Sequence, residues 1–270
     1  MFALEFLNFA YNVEEYVSRS EVFYQSPFNV LSPEKGAGVG LATGTVPGDV
    51  YGGLSAGYSP FSFHLKVYRS GEVLITTLPD TTSPPSEDNV PEVVDRVRFG
   101  AYEGRVGAFK PFGKTLKVAA AVKFIYAGAG KYGSGVGGGI DVAFLYSPFS
   151  LLDLYAGIKN AATSPVVWST GRRELALPLV DLRARVKVYG STYLLFGGEY
   201  SPDGRGFSPL RDGFLSLRAS FWRMDVYAGL VEGKGRLGLS YNHGRGKFSF
   251  GTSYHLDFGY SFLGSVSFRM

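Results

Sequence analysis

What this sequence lacks narrows the classes of protein it can belong to. It contains no cysteine, which excludes a disulfide framework and thiol chemistry. No continuous apolar stretch reaches the ~18 residues that a membrane-spanning helix needs, so entry into a membrane requires a closed sheet. Its three histidines, His64, His243 and His255, do not have the spacing of metal ligands. We therefore expect no metal and no cofactor.

The start of the chain also lacks a recognisable signal. Residues 1–6 contain no basic stretch and no apolar core, so we expect that a secretory signal has been removed, and a cytoplasmic protein with an ordinary start is the alternative. Residues 1–36 show no sustained alternation and carry Glu14, Glu15 and Glu21 among tyrosines. We interpret 1–36 as a separate segment, either a plug or a periplasmic tail, and 37–270 as the main domain.

Glycine, phenylalanine and tyrosine are abundant, with 37, 22 and 18 copies, which is typical of twisted strands that approach each other closely. From residue 37 onward, apolar and polar residues alternate in short segments separated by turn residues. The predicted strands are 37–43, 50–58, 60–69, 71–78, 99–109, 114–127, 134–146, 150–159, 177–188, 191–200, 212–220, 223–231, 234–243, 245–255 and 257–269. Single-chain bacterial barrels have an even strand number, so we expect about 14 in the wall, with one early segment merged or lying inside. Residues 79–98 and 160–176 are predicted to be long surface loops.

A soluble β-sandwich also alternates, with its apolar face inside, so alternation alone does not choose between the two folds. Tyrosine and phenylalanine cluster at the strand ends, as in the aromatic girdles of transmembrane barrels. The last strand places its serines on one face and its apolar residues on the other, namely Phe258, Tyr260, Phe262, Gly264, Val266, Phe268 and Met270. Outer-membrane barrels end in such a strand, which the barrel-assembly machinery reads. We therefore predict an all-β, closed antiparallel transmembrane barrel in the outer membrane.

In such a barrel the polar faces of the strands point into the lumen. The lumen-lining candidates are Lys66, Glu103, Arg105, Lys117, Lys123, Asp153, Arg183, Arg185, Lys187, Glu199, Arg218 and Asp225. Lys159, Arg269, Asp141 and Asp181 fall on the same faces, and the whole set has an excess of positive charge. An open pore lined this way favours anions, whereas cross-lumen pairing of the same residues closes the barrel. The basic series Arg183, Arg185 and Lys187 needs water or acidic neighbours, for which Glu103 and Glu199 are candidates.

Signals for catalysis are weak. Ser253 and His255 share a predicted strand face near Asp257, but adjacent side chains on one strand make a poor catalytic triad. The glycine-rich stretch 128–135 lacks both the Gly-Lys-Ser/Thr ending and the following helix of a phosphate-binding loop. Basic residues are dispersed rather than gathered in a patch, which argues against nucleic acid. We expect no enzyme activity and no catalytic residue.

Two groups of residues carry a family resemblance, mainly within 150–270. The first is Gly-Ile-Lys-Asn at 157–160, Pro-Val-Val-Trp at 165–168 and Glu-Leu-Ala-Leu-Pro at 174–178, leading into Arg183 and Tyr189. The second comprises 237–241, 254–259 and 263–268. Together they resemble the PorV/PorQ-like outer-membrane barrels, relatives of the FadL-type long-chain fatty-acid transporters. The resemblance implies a 14-stranded barrel whose relatives either pass hydrophobic molecules laterally or act as shuttles in Type IX secretion.

Two functions follow as hypotheses. The first is a porin-like or FadL-like transport barrel for small anionic, amphipathic or hydrophobic solutes. The second is a non-conducting structural or Type IX secretion-associated barrel that binds protein partners through the loops at 79–98 and 160–176. The partners that these hypotheses allow are outer-membrane lipid, the barrel-assembly machinery, a small solute and a second copy of the chain.

Overall fold

The structure is a computed structural model that describes residues 35–43, 49–79, 82, 84, 86, 89–202, 206–231, 233–255 and 259–270. Nearly all of the segment predicted as a plug or a tail therefore lies outside the described residues. Asp257 and the side chain of His255 lie outside them too. Within the described ranges, helical structure consists of one α-helical turn, Pro209–Asp212, and a 3-10 turn, Gly130–Tyr132. No helix in these ranges is long and apolar enough to cross a membrane.

The strands follow the alternating segments of the sequence because a period of two places every second side chain on the same face. In chain order they are β1 (Gly36–Thr43), β2 (Val50–Tyr58), β3 (Phe61–Arg69), β4 (Val73–Thr77), β5 (Glu92–Val97), β6 (Gly100–Phe112), β7 (Leu116–Gly128), β8 (Ser134–Phe149), β9 (Leu152–Trp168), β10 (Arg173–Glu174), β11 (Leu179–Tyr189), β12 (Thr192–Tyr200), β13 (Gly213–Phe221), β14 (Met224–Val231), β15 (Lys234–His243), β16 (Gly246–His255) and β17 (Gly259–Arg269).

Fourteen of these described strands close into one antiparallel barrel, which confirms the predicted fold class and wall number. Each wall strand pairs with its neighbour in the chain, except that β3 pairs with β6 and β9 with β11. The ring closes where β17 pairs with β1, with Val39 opposite Val266. Closure leaves no unpaired sheet edge, which is the condition for a sheet to lie in a lipid bilayer.

The two predicted loops, 79–98 and 160–176, are wrong in part. The first one contains a strand, β5, which pairs with β4 in a separate two-stranded sheet. The predicted strand at 71–78, which corresponds to β4, therefore neither merges into a neighbour nor joins the wall. The β-branched residues of β5, such as Val93 and Val94, favour the extended backbone despite the nearby prolines. The second predicted loop begins too early, because β9 continues to Trp168 and β10 pairs beside it. Register shifts against β8 interrupt the period of two in this part of β9, so the sequence pattern did not predict that the strand continues.

The two ends of the barrel differ in their connections. At one end, adjacent strands join through tight turns of two or three residues, as between β11 and β12 or β15 and β16. Gly190 and Gly244 adopt positive φ there, a conformation that glycine reaches without a steric cost. At the other end lie the longest connections, including the β4–β5 hairpin and the segment between β12 and β13. This asymmetry is typical of outer-membrane barrels, with short turns on the periplasmic side.

Candidate functional site: the barrel interior

Alternation divides each wall strand into an outward and an inward row. On β3, Phe61 and Phe63 are 57% and 41% exposed, whereas His64 and Lys66, which belong to the alternate row, are 1% and 7% exposed. On β7, Val122 and Phe124 are exposed beside the buried Lys123. In a closed sheet the buried row faces the interior. The wall thus has apolar side chains outside and many polar and charged side chains inside, unlike a soluble sandwich.

The structure places every lumen-lining candidate on an inward row, at different depths of burial. Five side chains are buried: Lys66, Arg105, Lys123, Arg183 and Asp225. Seven are partly buried: Glu103, Lys117, Asp153, Arg185, Lys187, Glu199 and Arg218. What these residues do for a solute stays a prediction, but their contacts show how their charges are arranged.

The most enclosed ion pair joins Arg183 to Asp181 on β11. The Arg183 Nε donates to Asp181 Oδ1 at 2.6 Å, its Nη2 donates to the other carboxylate oxygen, and Asp181 has no exposed surface. Glu199 on β12 lies 3.5 Å from the same Nη2 and accepts a 2.7 Å hydrogen bond from Lys159 Nζ. Glu199 is therefore an acidic neighbour of Arg183, as expected. Glu103 lies in another sector of the wall, opposite Lys66.

A second inward ion pair lies closer to the short turns. Arg185 donates from Nε to Asp153 Oδ2 at 2.7 Å, across the β9–β11 register that places the two residues side by side. Ser147 donates to the other oxygen of this carboxylate. The three partners come from β8, β9 and β11, so their side chains tie three wall strands together.

A third cluster surrounds Asp225 on β14. Arg218 Nη2 donates to Asp225 Oδ1 at 3.0 Å, and Lys247 Nζ lies 3.8 Å from Oδ2. Ser220 completes the set by donating to the same carboxylate. One carboxylate thus neutralises part of the positive charge of two inward cations.

The fourth cluster is built on a wall irregularity. Asp141 on β8 accepts hydrogen bonds of 2.8 Å from Lys123 Nζ and from the backbone N–H of Asn160, and Arg105 Nη1 lies 3.8 Å away. The register shifts here, with Ile140 opposite Ala162 and Val142 opposite Ile158. Asn160 itself has φ of 56°, a left-handed conformation that asparagine adopts more readily than other side-chain-bearing residues. The sequence alone did not reveal this bulge, although the Lys-Asn pair at 159–160 marks its position.

Aromatic rings lie against the inward arginines. The Arg183 guanidinium is 5.4 Å from the Tyr155 ring centroid and 5.6 Å from that of Phe214. Arg185 lies 5.1 Å from Tyr193 in the same way. Cation–π contacts are strongest where water is excluded, so these rings stabilise the buried charges. The rings also add apolar surface to the inner wall.

Two apolar clusters lie among the inward side chains, beside the ion pairs. One consists of inward residues from several strands on the β7 to β14 side, namely Ala119, Leu145, Tyr155, Leu195, Phe214 and Val231. The other lies near the long connections and comprises Tyr68, Ala101, Ile125 and Ala127, with Tyr51, Phe99 and Trp168 packed against it. The interior therefore combines apolar patches with charges that are wholly or partly neutralised by close partners, rather than a continuous positive surface.

The comparisons with known proteins bear on the fold. No protein-family model and no curated protein sequence matches the chain. The Pseudomonas putida toluene transporter TodX matches with a TM-score of 0.65 at 10% identity, covering 98% of this chain and 99% of that one. The Ralstonia pickettii toluene transporter TbuX matches at 0.61 and 10%, and a Pseudomonas aeruginosa FadL homologue at 0.57 and 8%, both covering 98% of this chain and 99% of theirs. These similarities establish a fold shared with FadL-type outer-membrane channels.

Proposed function

We propose that this protein is an outer-membrane barrel that transports small hydrophobic or amphipathic solutes. The outward rows of exposed phenylalanine, leucine and valine suit a lipid environment. Tyr189 and Trp222, 85% and 84% exposed, lie at the short-turn end, where aromatic rings anchor barrels at the membrane interface. The structures that share its fold include transporters named for toluene, which supports this class of solute.

One observation carries the choice of solute. Arg183 and Arg185, the core of the predicted anion-selective series, are bound to Asp181 and Asp153 and lie against aromatic rings. Paired charges create a weak net field, so they attract anions less than free cations do. The two apolar clusters of the inner wall offer contact area to an uncharged solute or to the apolar part of an amphipathic one.

Two measurements on the same preparation test the proposal. The initial uptake of radiolabelled toluene is measured in a Gram-negative host that lacks such channels, with and without the protein in its outer membrane. We expect faster uptake with the protein, and in planar bilayers we expect little anion-selective conductance. Steady anion-preferring conductance steps that disappear in Arg183→Ser with Arg185→Ser, without any gain in toluene uptake, would show that the solute class is wrong.

A second function has one observation in its favour. The β4–β5 hairpin forms a sheet separate from the wall and exposes apolar side chains, including Val73, Leu74, Val93 and Val94. Exposed apolar patches are typical of protein-binding surfaces. This favours the alternative of a secretion-associated barrel, as the PorV/PorQ-like resemblance implies. Deletion of residues 73–97 then abolishes partner capture from native membranes and leaves toluene uptake unchanged.

A further inference from the structure

The outward face of β8, β9, β11 and β12 contains an apolar cavity of about 810 Å³, which we call the outer groove. Its lining includes Phe144, Leu154, Ala156, Ala184, Phe196 and Phe207. Its size falls within the range of ~300–1,000 Å³ that is usual for pockets that bind small ligands. A flat sheet face does not produce such a hollow, so its cause must lie in the side chains.

Small residues on the outward rows create the hollow. Ala184 faces outward like Leu182 but is only 9% exposed, because Leu154 and Phe196 are its partners on the two neighbouring strands. Gly198 on β12 lies against the ring of Phe207, and a Cβ there would lie 2.8 Å from that ring. The short side chain of Ala184 therefore leaves the hollow open between larger apolar neighbours, whereas the missing side chain of Gly198 makes room for the ring of Phe207, which lines it.

The groove belongs to the outer surface rather than to the lumen. Leu182 and Phe196, 57% and 43% exposed, mark the outward rows on which it lies. Arg183 also borders it, but that side chain is directed inward, where its guanidinium binds Asp181 and Glu199. Charge is thus kept out of the groove, and its surface is almost entirely carbon.

We propose that the outer groove holds one acyl chain of an outer-membrane phospholipid. The inference rests on the membrane location proposed above, since the groove then opens towards hydrocarbon and not towards water. An acyl chain is the apolar molecule that the bilayer supplies on that face, and a hollow lined by Phe144 and Phe196 gives it more contact than the flat wall does. Dispersion contacts with ring and methyl carbons hold it there, with no demand on the head group.

Photolabelling in vesicles tests this proposal. The protein is refolded into dioleoylphosphatidylcholine vesicles that contain a small fraction of phosphatidylcholine with a diazirine at the end of one acyl chain. After illumination, labelled positions are mapped by peptide mass spectrometry. We expect groove residues on β9, β11 and β12 to carry about tenfold more label than outward residues on β7 and β15, the ratio for a modest binding preference.

Matched variants separate the groove from the general lipid annulus. Ala184→Trp fills the hollow and should reduce labelling of the groove to the level of the remaining wall. Ala120→Trp places the same ring on an exposed outward position of β7 and should leave groove labelling unchanged. Heat-modifiable migration on gels verifies that each variant is folded.

Three results would overturn the proposal. Uniform labelling of the wall, or undiminished groove labelling in Ala184→Trp, contradicts a specific acyl site while leaving the membrane location intact. Cross-linked dimers that disappear in Ala184→Trp identify the groove as a contact between two copies of the chain. A folded protein that acquires no label at any position contradicts the membrane location itself.

Discussion

Among the fourteen wall strands, two sets of five neighbouring strands carry different kinds of side chain on their inner faces, and we call them the charged half and the small half. The charged half, formed by β9, β11, β12, β13 and β14, presents ion pairs and aromatic rings. The small half, formed by β15, β16, β17, β1 and β2, presents mainly glycine and serine. Its buried residues include Gly36, Gly38, Gly40, Ser55, Gly238, Ser240, Gly251, Ser253, Ser261 and Ser265.

The difference shows that backbone pairing alone does not determine how strongly the strands of a barrel wall are held together. Both halves have antiparallel ladders, and the charged half adds ion pairs between neighbouring strands, such as Asp153 with Arg185. The small half relies on the ladder and on hydroxyl contacts, for example Ser253 with Ser261 at 2.8 Å. Charged ties are costly to break when buried, so the two halves should respond differently to truncation.

The largest expected effect is in the charged half. Asp181→Ala leaves the buried Arg183 without its main carboxylate, which should lower the free energy of unfolding by about 3–5 kcal/mol. Urea unfolding of the refolded barrel in vesicles, followed by tryptophan fluorescence, measures this change. Ser261→Ala in the small half is the control, and equal losses in the two variants would remove the energetic difference between the halves.

A smaller effect is expected for the pair of Asp153 and Arg185, which is less deeply buried. Asp153→Leu alone should destabilise the barrel, and adding Arg185→Leu should restore part of the loss, because no unpaired charge then remains. We expect an interaction energy of about 1–3 kcal/mol from the double-mutant cycle by urea unfolding. Strictly additive single changes would mean that the two side chains do not stabilise each other.

In the small half, the hydroxyl contact between Ser253 and Ser261 should contribute only about 1 kcal/mol, as is usual for a neutral hydrogen bond. Either serine changed to alanine leaves one buried hydroxyl without this partner, whereas the double change removes both polar groups. The double variant should therefore be at least as stable as either single variant in the same unfolding assay. A loss of several kcal/mol in the double variant would show that the small half depends on these hydroxyls.

The smallest effect concerns an exposed ion pair outside the wall. Hydrogen bonds from Lys131 and then Tyr132 lower the pKa of Asp95 from 3.8 to about 2. Because the pKa is depressed, the contact between β5 and the 130–132 turn is fully formed above pH 3.8 and weakens as the pH falls towards 2. Titration of the Asp95 carboxyl carbon by NMR should show this midpoint, and Lys131→Ala should move it upward. An unchanged midpoint in that variant would assign the shift to another neighbour.

The sequence predicted the features that depend on periodicity. A strict period of two on β3, β7 and β11 predicted one polar row on each strand, and Lys66, Lys123 and Arg183 on these rows are buried. The same reasoning failed on β9, where the bulge at Asn160 interrupts the alternation. It also missed β5, because prolines and acidic residues nearby outweighed a short run of β-branched residues. The conformation of a loop and the position of a bulge depend on contacts with neighbouring strands, and a local sequence pattern carries no information about those contacts.

The sequence by itself determined that this chain forms a closed antiparallel barrel of about 14 strands with a polar interior, since side-chain period and strand number follow from local order. Only the tertiary structure decided which charges meet. Asp153 and Arg185 are 32 positions apart, and Lys159 and Glu199 are 40 apart, so their pairing requires the register between strands. That register pairs several of the inward cations with carboxylates, because an ion's effect depends on its partners in space and not on its neighbours in the chain.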